Sequence, residues 1–122
     1  MTVAHLLPLV LALGACQPPP GERHAMPGAD PQAGLRVMRD VGCASCHQVP
    51  GIGWPQGRVG PALHGFGDQA LIAGALPNRP DVLAAYVRDA PSLMPGTTMP
   101  AMPVSRKEAR DVAAYLYTLA GD

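Results

Sequence analysis

Apolar positions recur at helical spacing in several stretches of this chain, and glycine and proline break the pattern between them. Asp30-Pro31 predicts a helix start, a capping side chain followed by proline at the first helical position. Behind it Leu35, Met38 and Val41 form one inner stripe, and Gly34 leaves room for another helix to approach closely. Helical signals return at Asp68, with Leu71, Ile72 and Leu76 apolar. They return again at Pro80, with Leu83, Tyr86 and Val87 at inward spacing, and Pro91 ends that run. Ser105-Arg106-Lys107-Glu108 reads as a capping box, with Val112, Tyr115, Leu116 and Leu119 on one stripe after it. Residues 49–59, continued through 60–63, and residues 91–104 are loop by their glycine and proline. No stretch alternates as a strand does, so the expectation is an all-α domain with two long loops.

The N-terminal pattern differs from the rest. Leu6 to Ala15 is an apolar run too short to span a bilayer, which takes ~20 residues. It fits the apolar region of a secretory signal with small residues before a cleavage point. Leu13-Gly14-Ala15-Cys16 resembles a bacterial lipobox, which implies that Cys16 becomes the first mature residue and carries lipid. Several acyl chains give stable attachment where one is marginal. The alternative is an ordinary signal peptide with an incidental cysteine. Met1 to His5 lacks the usual Lys or Arg, a departure from the pattern. By the lipobox rule, Gln17 rather than Asp after Cys16 mildly disfavours retention in the inner membrane. From Gln17 to Asp30 the chain turns to Pro, Gly and small polar residues, an extended linker. The expected division is a signal peptide at 1–15, lipidated Cys16 and linker at 16–30, and a folded domain at 31–122. His24 and Met26 receive no role within the linker.

Composition narrows the class. The 122 residues suffice for one small domain. Nine basic and nine acidic side chains cancel, so there is no electrostatic case for nucleic acid. Lys107 is the single lysine, and the aromatics reduce to Trp54, Phe66, Tyr86, Tyr115 and Tyr117. So small a domain with so few large side chains buries little surface unaided. A bound apolar group would supply the missing core.

Cys43-Ala44-Ser45-Cys46-His47 says which group. Two thiols on one turn of chain can add to the two vinyl groups of a haem, and the histidine after them faces the iron. A zinc site needs two further ligands, but the other cysteine is Cys16 and the histidines His5, His24 and His64 lack ligand spacing. A redox dithiol of thioredoxin type needs a βαβ pattern, and none is present. Export agrees with a c-type haem, which bacteria attach outside the cytoplasmic membrane.

Four blocks in order extend the resemblance. They are Gly42-Cys43-Ala44-Ser45-Cys46-His47, Gly60-Pro61-Ala62-Leu63-His64-Gly65, Pro95-Gly96-Thr97-Thr98-Met99-Pro100, and Asp111-Val112-Ala113-Ala114-Tyr115-Leu116. From about Pro31 to Ala120 the chain resembles a class I cytochrome c, such as the small bacterial cytochromes and the cytochrome c domains fused to subunit II of haem-copper oxidases. Ile72 to Asn78 looks typical of the oxidase-associated type. The resemblance implies four to five short helices wrapped around one covalently attached haem. His47 supplies one axial ligand. Met94, Met99 and Met102 compete for the other, and all three precede proline, so local conformation does not choose among them. The family block assigns Met99, with Met102 the runner-up; the other two methionines are otherwise filler at the haem edge. By the same resemblance the carbonyl of Pro61 accepts from the second ring nitrogen of His47. Arg58 is a candidate partner for a haem propionate, the alternative being a solvated surface arginine. Trp54 and Tyr86 are candidate propionate donors or simply core, and His64 is structural.

With both axial positions filled no place remains for a substrate, so the implied function is one-electron transfer rather than catalysis. Expected partners are redox proteins: a quinol-oxidising complex or another cytochrome as donor, a terminal oxidase or periplasmic reductase as acceptor. The expected location is the periplasmic side of a bacterial membrane, reached through the lipid anchor. Two other classes stay open: a haem ligand sensor with a labile methionine, and an electron-entry subunit of a dehydrogenase or oxidase complex.

Overall fold

A computed structural model describes residues 24–121. Cys16, the signal segment and the first part of the linker lie outside the described residues. Helix α1 (Pro31–Asp40) starts as predicted: the Asp30 carboxylate accepts from the amides of Gln32 and Ala33 at 2.9 and 3.1 Å. Helix α4 (Arg106–Thr118) carries the full capping box, with Ser105 N donating to Glu108 Oε2 at 2.7 Å and Glu108 N to Ser105 Oγ at 3.2 Å. These two helices make the most extensive contact in the described chain. Gly34 allows it, since a Cβ there would overlap the carbonyl of Asp111. Helix α2 (Pro80–Arg88) buries Leu83, Tyr86 and Val87 and packs against α4 as well.

Three expectations need correction. The signals around Asp68 do not make a helix. Phe66–Asp68 is one 3₁₀ turn, and Leu71–Ile72 (β1) pairs antiparallel with Leu76–Pro77 (β2). Ala73 and Gly74 both take positive φ, 49° and 72°, and Ala75 N donates to Ile72 O at 3.1 Å. That is the primed turn that matches strand twist, so the segment closes into a hairpin. Strands of two residues are too short to show alternation, which is why the sequence hid them. Pro91 does not simply end α2 either. Asp89 caps a further single turn, α3 (Ala90–Leu93), with Pro91 inside it.

The third correction concerns the linker, which ends earlier than residue 30. The His24 ring stacks on Tyr117 with centroids 4.0 Å apart and planes 7° from parallel. Met26 packs against the core. Arg110 Nη2 donates to Pro27 O at 3.0 Å, and Asp30 N donates to Asp111 Oδ1 at 2.9 Å. On α4 these anchor positions face away from Val112 and Leu116. The largest fully buried side chains are Met38, Ile72 and Leu83, and all three also line the cavity that Cys43, Cys46 and His47 face. The core of this domain is therefore the wall of a binding site.

A candidate haem site

Gly42, at φ 83°, turns the chain out of α1 into the 3₁₀ turn Cys43–Ser45, where no Cβ is tolerated cheaply. His47 N and Cys46 N both return to Cys43 O, at 3.0 and 3.2 Å, so Cys43, Cys46 and His47 share one tight turn. The loop from 57 to 63 is laid against it: Gly57 N donates to Ala44 O at 2.8 Å, Gly60 N to Cys46 O at 2.8 Å, and Leu63 N to Gln48 O at 2.9 Å. A Cβ at Gly60 would overlap the ring of His47. That closeness lets His47 Nδ1 bond to Pro61 O at 2.7 Å. A carbonyl only accepts, so Nδ1 carries the proton, which in the neutral ring leaves the lone pair on Nε2.

The cavity measures about 550 Å³ and is lined by Cys43, Cys46 and His47 on one side of the sequence and by Thr97, Met99 and Met102 on the other. Leu63, Phe66, Leu83, Val87, Val112 and Leu116 supply apolar wall. None of the lining residues is Asp, Glu, Lys or Arg. Burial pushes the Cys43 thiol up to about 11, with Cys46 adding to the rise and a backbone hydrogen bond opposing it. A thiol so held is not the reactive thiolate of a redox dithiol. Among the described residues no three His, Cys, Asp or Glu side chains converge as a metal site would require. Two unpaired thiols, an oriented imidazole and thioethers around an uncharged, apolar space suit a thioether-linked haem.

The methionine loop is held from two directions. Met102 N donates to Arg88 O at 2.9 Å, and Asp89 bridges Ala101, so the end of α2 clamps the chain after Met99. Thr97 Oγ1 accepts from Met99 N at 3.3 Å and lies 3.4 Å from the Tyr86 hydroxyl. Met94 packs on the core but does not line the cavity. Arg58 is exposed and does not itself line the cavity, though its neighbour Val59 does. Trp54 is neither core nor cavity wall, being 87% exposed, and His64 is exposed too. Gly60, Thr97 and Val59 are the site residues whose parts the sequence did not reveal. The short GPAL and PGTTM blocks mark where two of them fall, but only the fold shows what each touches.

The family model described as cytochrome c matches residues 31–120. This chain belongs to the cytochrome c family. Its cofactor is covalently bound haem c with iron, and membership of the family supports electron transfer. Cytochrome c2 of Rhodopila globiformis is 32% identical over 108 residues, covering 76% of this chain and 96% of that protein. Cytochrome c oxidase subunit 2 of Alkalihalophilus pseudofirmus is 39% identical over 87 residues, covering 70% of this chain. Those residues are 25% of the subunit, so this cytochrome c family member spans about a quarter of that relative. The crystal structure of SoxXA from P. pantotrophus aligns with a TM-score of 0.58 at 23% identity, over 75% of this chain and 82% of that one. At that identity the likeness speaks for the cytochrome c fold alone.

Proposed function

We propose that this chain shuttles single electrons on the periplasmic side of a bacterial membrane, through one haem c that Cys43 and Cys46 would attach and that His47 and Met99 would ligate. The observation that supports this best is that one uncharged cavity is lined by Cys43, Cys46, His47 and Met99 together. When bound, the haem supplies an iron that takes up and gives back one electron. The chain's own residues do everything else. Cys43 and Cys46 fix the group covalently through two thioethers. Pro61 O holds the imidazole so that Nε2 is the nitrogen left to ligate, and the hydrogen bond strengthens it as a donor. Met99 offers a thioether, which favours the ferrous state relative to a second nitrogen. Tyr86 and Thr97 hold the backbone that carries Met99. The apolar wall keeps water away.

The tether belongs to the same proposal. A lipid on Cys16 would hold the domain near the membrane and raise its local concentration beside membrane-bound partners. A quinol-oxidising complex or another cytochrome fits as donor, and a terminal oxidase or reductase as acceptor. The likeness to part of an oxidase subunit favours the oxidase, and equally supports a role as the electron-entry piece of such a complex. Arg58, exposed beside Val59, remains the candidate for a propionate at the cavity rim.

A potentiometric titration of the haem-loaded protein tests the carrier reading: one reversible one-electron step is expected. A multi-electron or irreversible response contradicts it. Membrane fractionation of a Cys16→Ser chain tests the anchor. Loss of the protein from the membrane fraction is expected, and unchanged retention removes the anchor from the proposal.

A further inference from the structure

We propose that the N-terminal segment is part of the haem site: His24, through Tyr117 and Asn78, positions the cavity wall at Phe66 and Gln69 and so tunes the potential of the haem behind it. This rests on the electron-carrier reading above and names residues that adjust that carrier.

Asn78 is the centre of the arrangement. It is polar yet only 8% exposed, and its side chain is fully engaged. Nδ2 donates to Gln69 O at 2.9 Å and to Phe66 O at 3.4 Å, while Oδ1 accepts from the Tyr117 hydroxyl at 3.0 Å. Its backbone amide donates to Ala70 O at 3.0 Å as well. Phe66 and Gln69 both line the haem cavity. Asn78 thus staples one wall of that cavity to α4, and moving it would leave buried polar groups unpaired. Burial, helped by the charge of Asp81, raises the Tyr117 pKa above the usual phenol range, so the hydroxyl keeps the proton it donates.

His24 completes the line. Tyr117 is half-buried, and the His24 ring covers one of its two faces, which fixes where the hydroxyl sits. Beside this stack lies an open, polar cleft lined by His24, Asp68, Asn78, Arg79 and Tyr117. Among the described residues Gln69 alone lines both that cleft and the haem cavity. A wall that slackens at Gln69 would therefore admit water from the cleft to the haem. Ferric haem carries one more positive charge than ferrous, so water at its edge favours the ferric form and lowers the potential. The other end of the loop stays tied, since Gly67 N donates to Leu119 O at 2.9 Å without help from the stack. Loss of the latch loosens the wall and leaves the fold standing.

Spectroelectrochemical titration of the full haem-loaded chain reads the effect. Tyr117→Phe keeps the ring and removes the hydroxyl, and His24→Ala removes the stack. Each should shift the redox equilibrium about threefold towards the ferric form, within what one neutral hydrogen bond supplies. At 59 mV per tenfold that is a fall of about 28 mV. The double variant should fall no further than Tyr117→Phe alone, because His24 acts through that hydroxyl. His24→Phe, which keeps a flat ring on Tyr117, should restore the wild-type potential. Thr118→Val removes a hydroxyl that bonds within α4, to Tyr115 O at 2.6 Å, and should lower the melting temperature with the potential unmoved. Unchanged potentials in Tyr117→Phe and His24→Ala, additive shifts in the double variant, or an equal shift in Thr118→Val would overturn the inference. If Tyr117→Phe does not take up haem, His24→Ala and His24→Phe decide by the same rule. A wild type without a reversible one-electron couple would instead strike at the carrier reading itself.

Discussion

At Gly60 a methyl group would overlap the His47 ring, and the amide of the same residue is bonded to Cys46 O at 2.8 Å. One residue without a side chain thus sets how closely the loop bearing Pro61 can approach the imidazole. Across the cavity two thioethers are present, Met99 and Met102, and the amide of Met102 is committed to Arg88 O. We expect Met99→Leu to abolish the sulfur-to-iron charge-transfer band in the near infrared and Met102→Leu to retain it; the reverse pattern would transfer the ligand to Met102. Asp111 is the other decisive residue, 2% exposed with Lys107 Nζ at 2.7 Å and the Asp30 amide at 2.9 Å. Burial by itself would raise its pKa, but those two donors outweigh burial and hold the carboxyl below its ordinary 3.8. A depressed carboxyl stabilises the fold fully above its unfolded-state pKa and loses that contribution as pH falls through the folded one. The loss therefore comes below about pH 4. Asp111→Asn should flatten that acid limb and cost about 1–3 kcal/mol near neutrality, read by urea denaturation against pH. An unchanged acid limb would show that other carboxylates carry it.

Among the elements, α1 and α4 form the frame, and their crossing depends on backbone approaching backbone at Gly34. Gly34→Ala should force the helices apart and destabilise the domain by about 1–3 kcal/mol, read by thermal melting. A melt indistinguishable from wild type would mean the crossing shifts freely. Both helix starts were legible in the sequence because caps are local: Asp30-Pro31 and Ser105 to Glu108 carry their whole geometry within four residues. Gly34 was legible as permission for close packing, though not its target. The hairpin at Leu71 to Pro77 was not legible, because apolar Leu71, Ile72 and Leu76 suit a helix equally well and alanine at position 73 gives no sign of positive φ. Asp111 was visible only as part of a family block, since its partners lie on the N-terminal segment and on its own helix. The cavity's thiols, imidazole and methionines were legible as chemistry. Its freedom from charge was not, because it follows from which way each loop faces.

For the molecule as a whole, the core and the cofactor site are the same place. Met38, Ile72 and Leu83, the most deeply buried large side chains, are also cavity wall. If the haem hides on the order of 400 Å² of its apolar surface, burial contributes ~10 kcal/mol. That matches the entire net stability of a typical domain. The chain without haem should therefore be largely unfolded by circular dichroism, and native-like helix content without haem would refute this. The N-terminal strap, from His24 on Tyr117 to Asp30 on Asp111, enters on the side of α4 turned away from Val112 and Leu116. None of residues 24–30 lines the cavity. The proposed pairing of His47 with Met99 is tested most directly by the visible and near-infrared spectrum of the haem-loaded protein, oxidised and then reduced under carbon monoxide. A sulfur-to-iron band in the oxidised form, with no response to carbon monoxide in the reduced form, is the predicted result. A missing band with ready carbon monoxide binding would contradict it and make the site an open one, suited to sensing or catalysis.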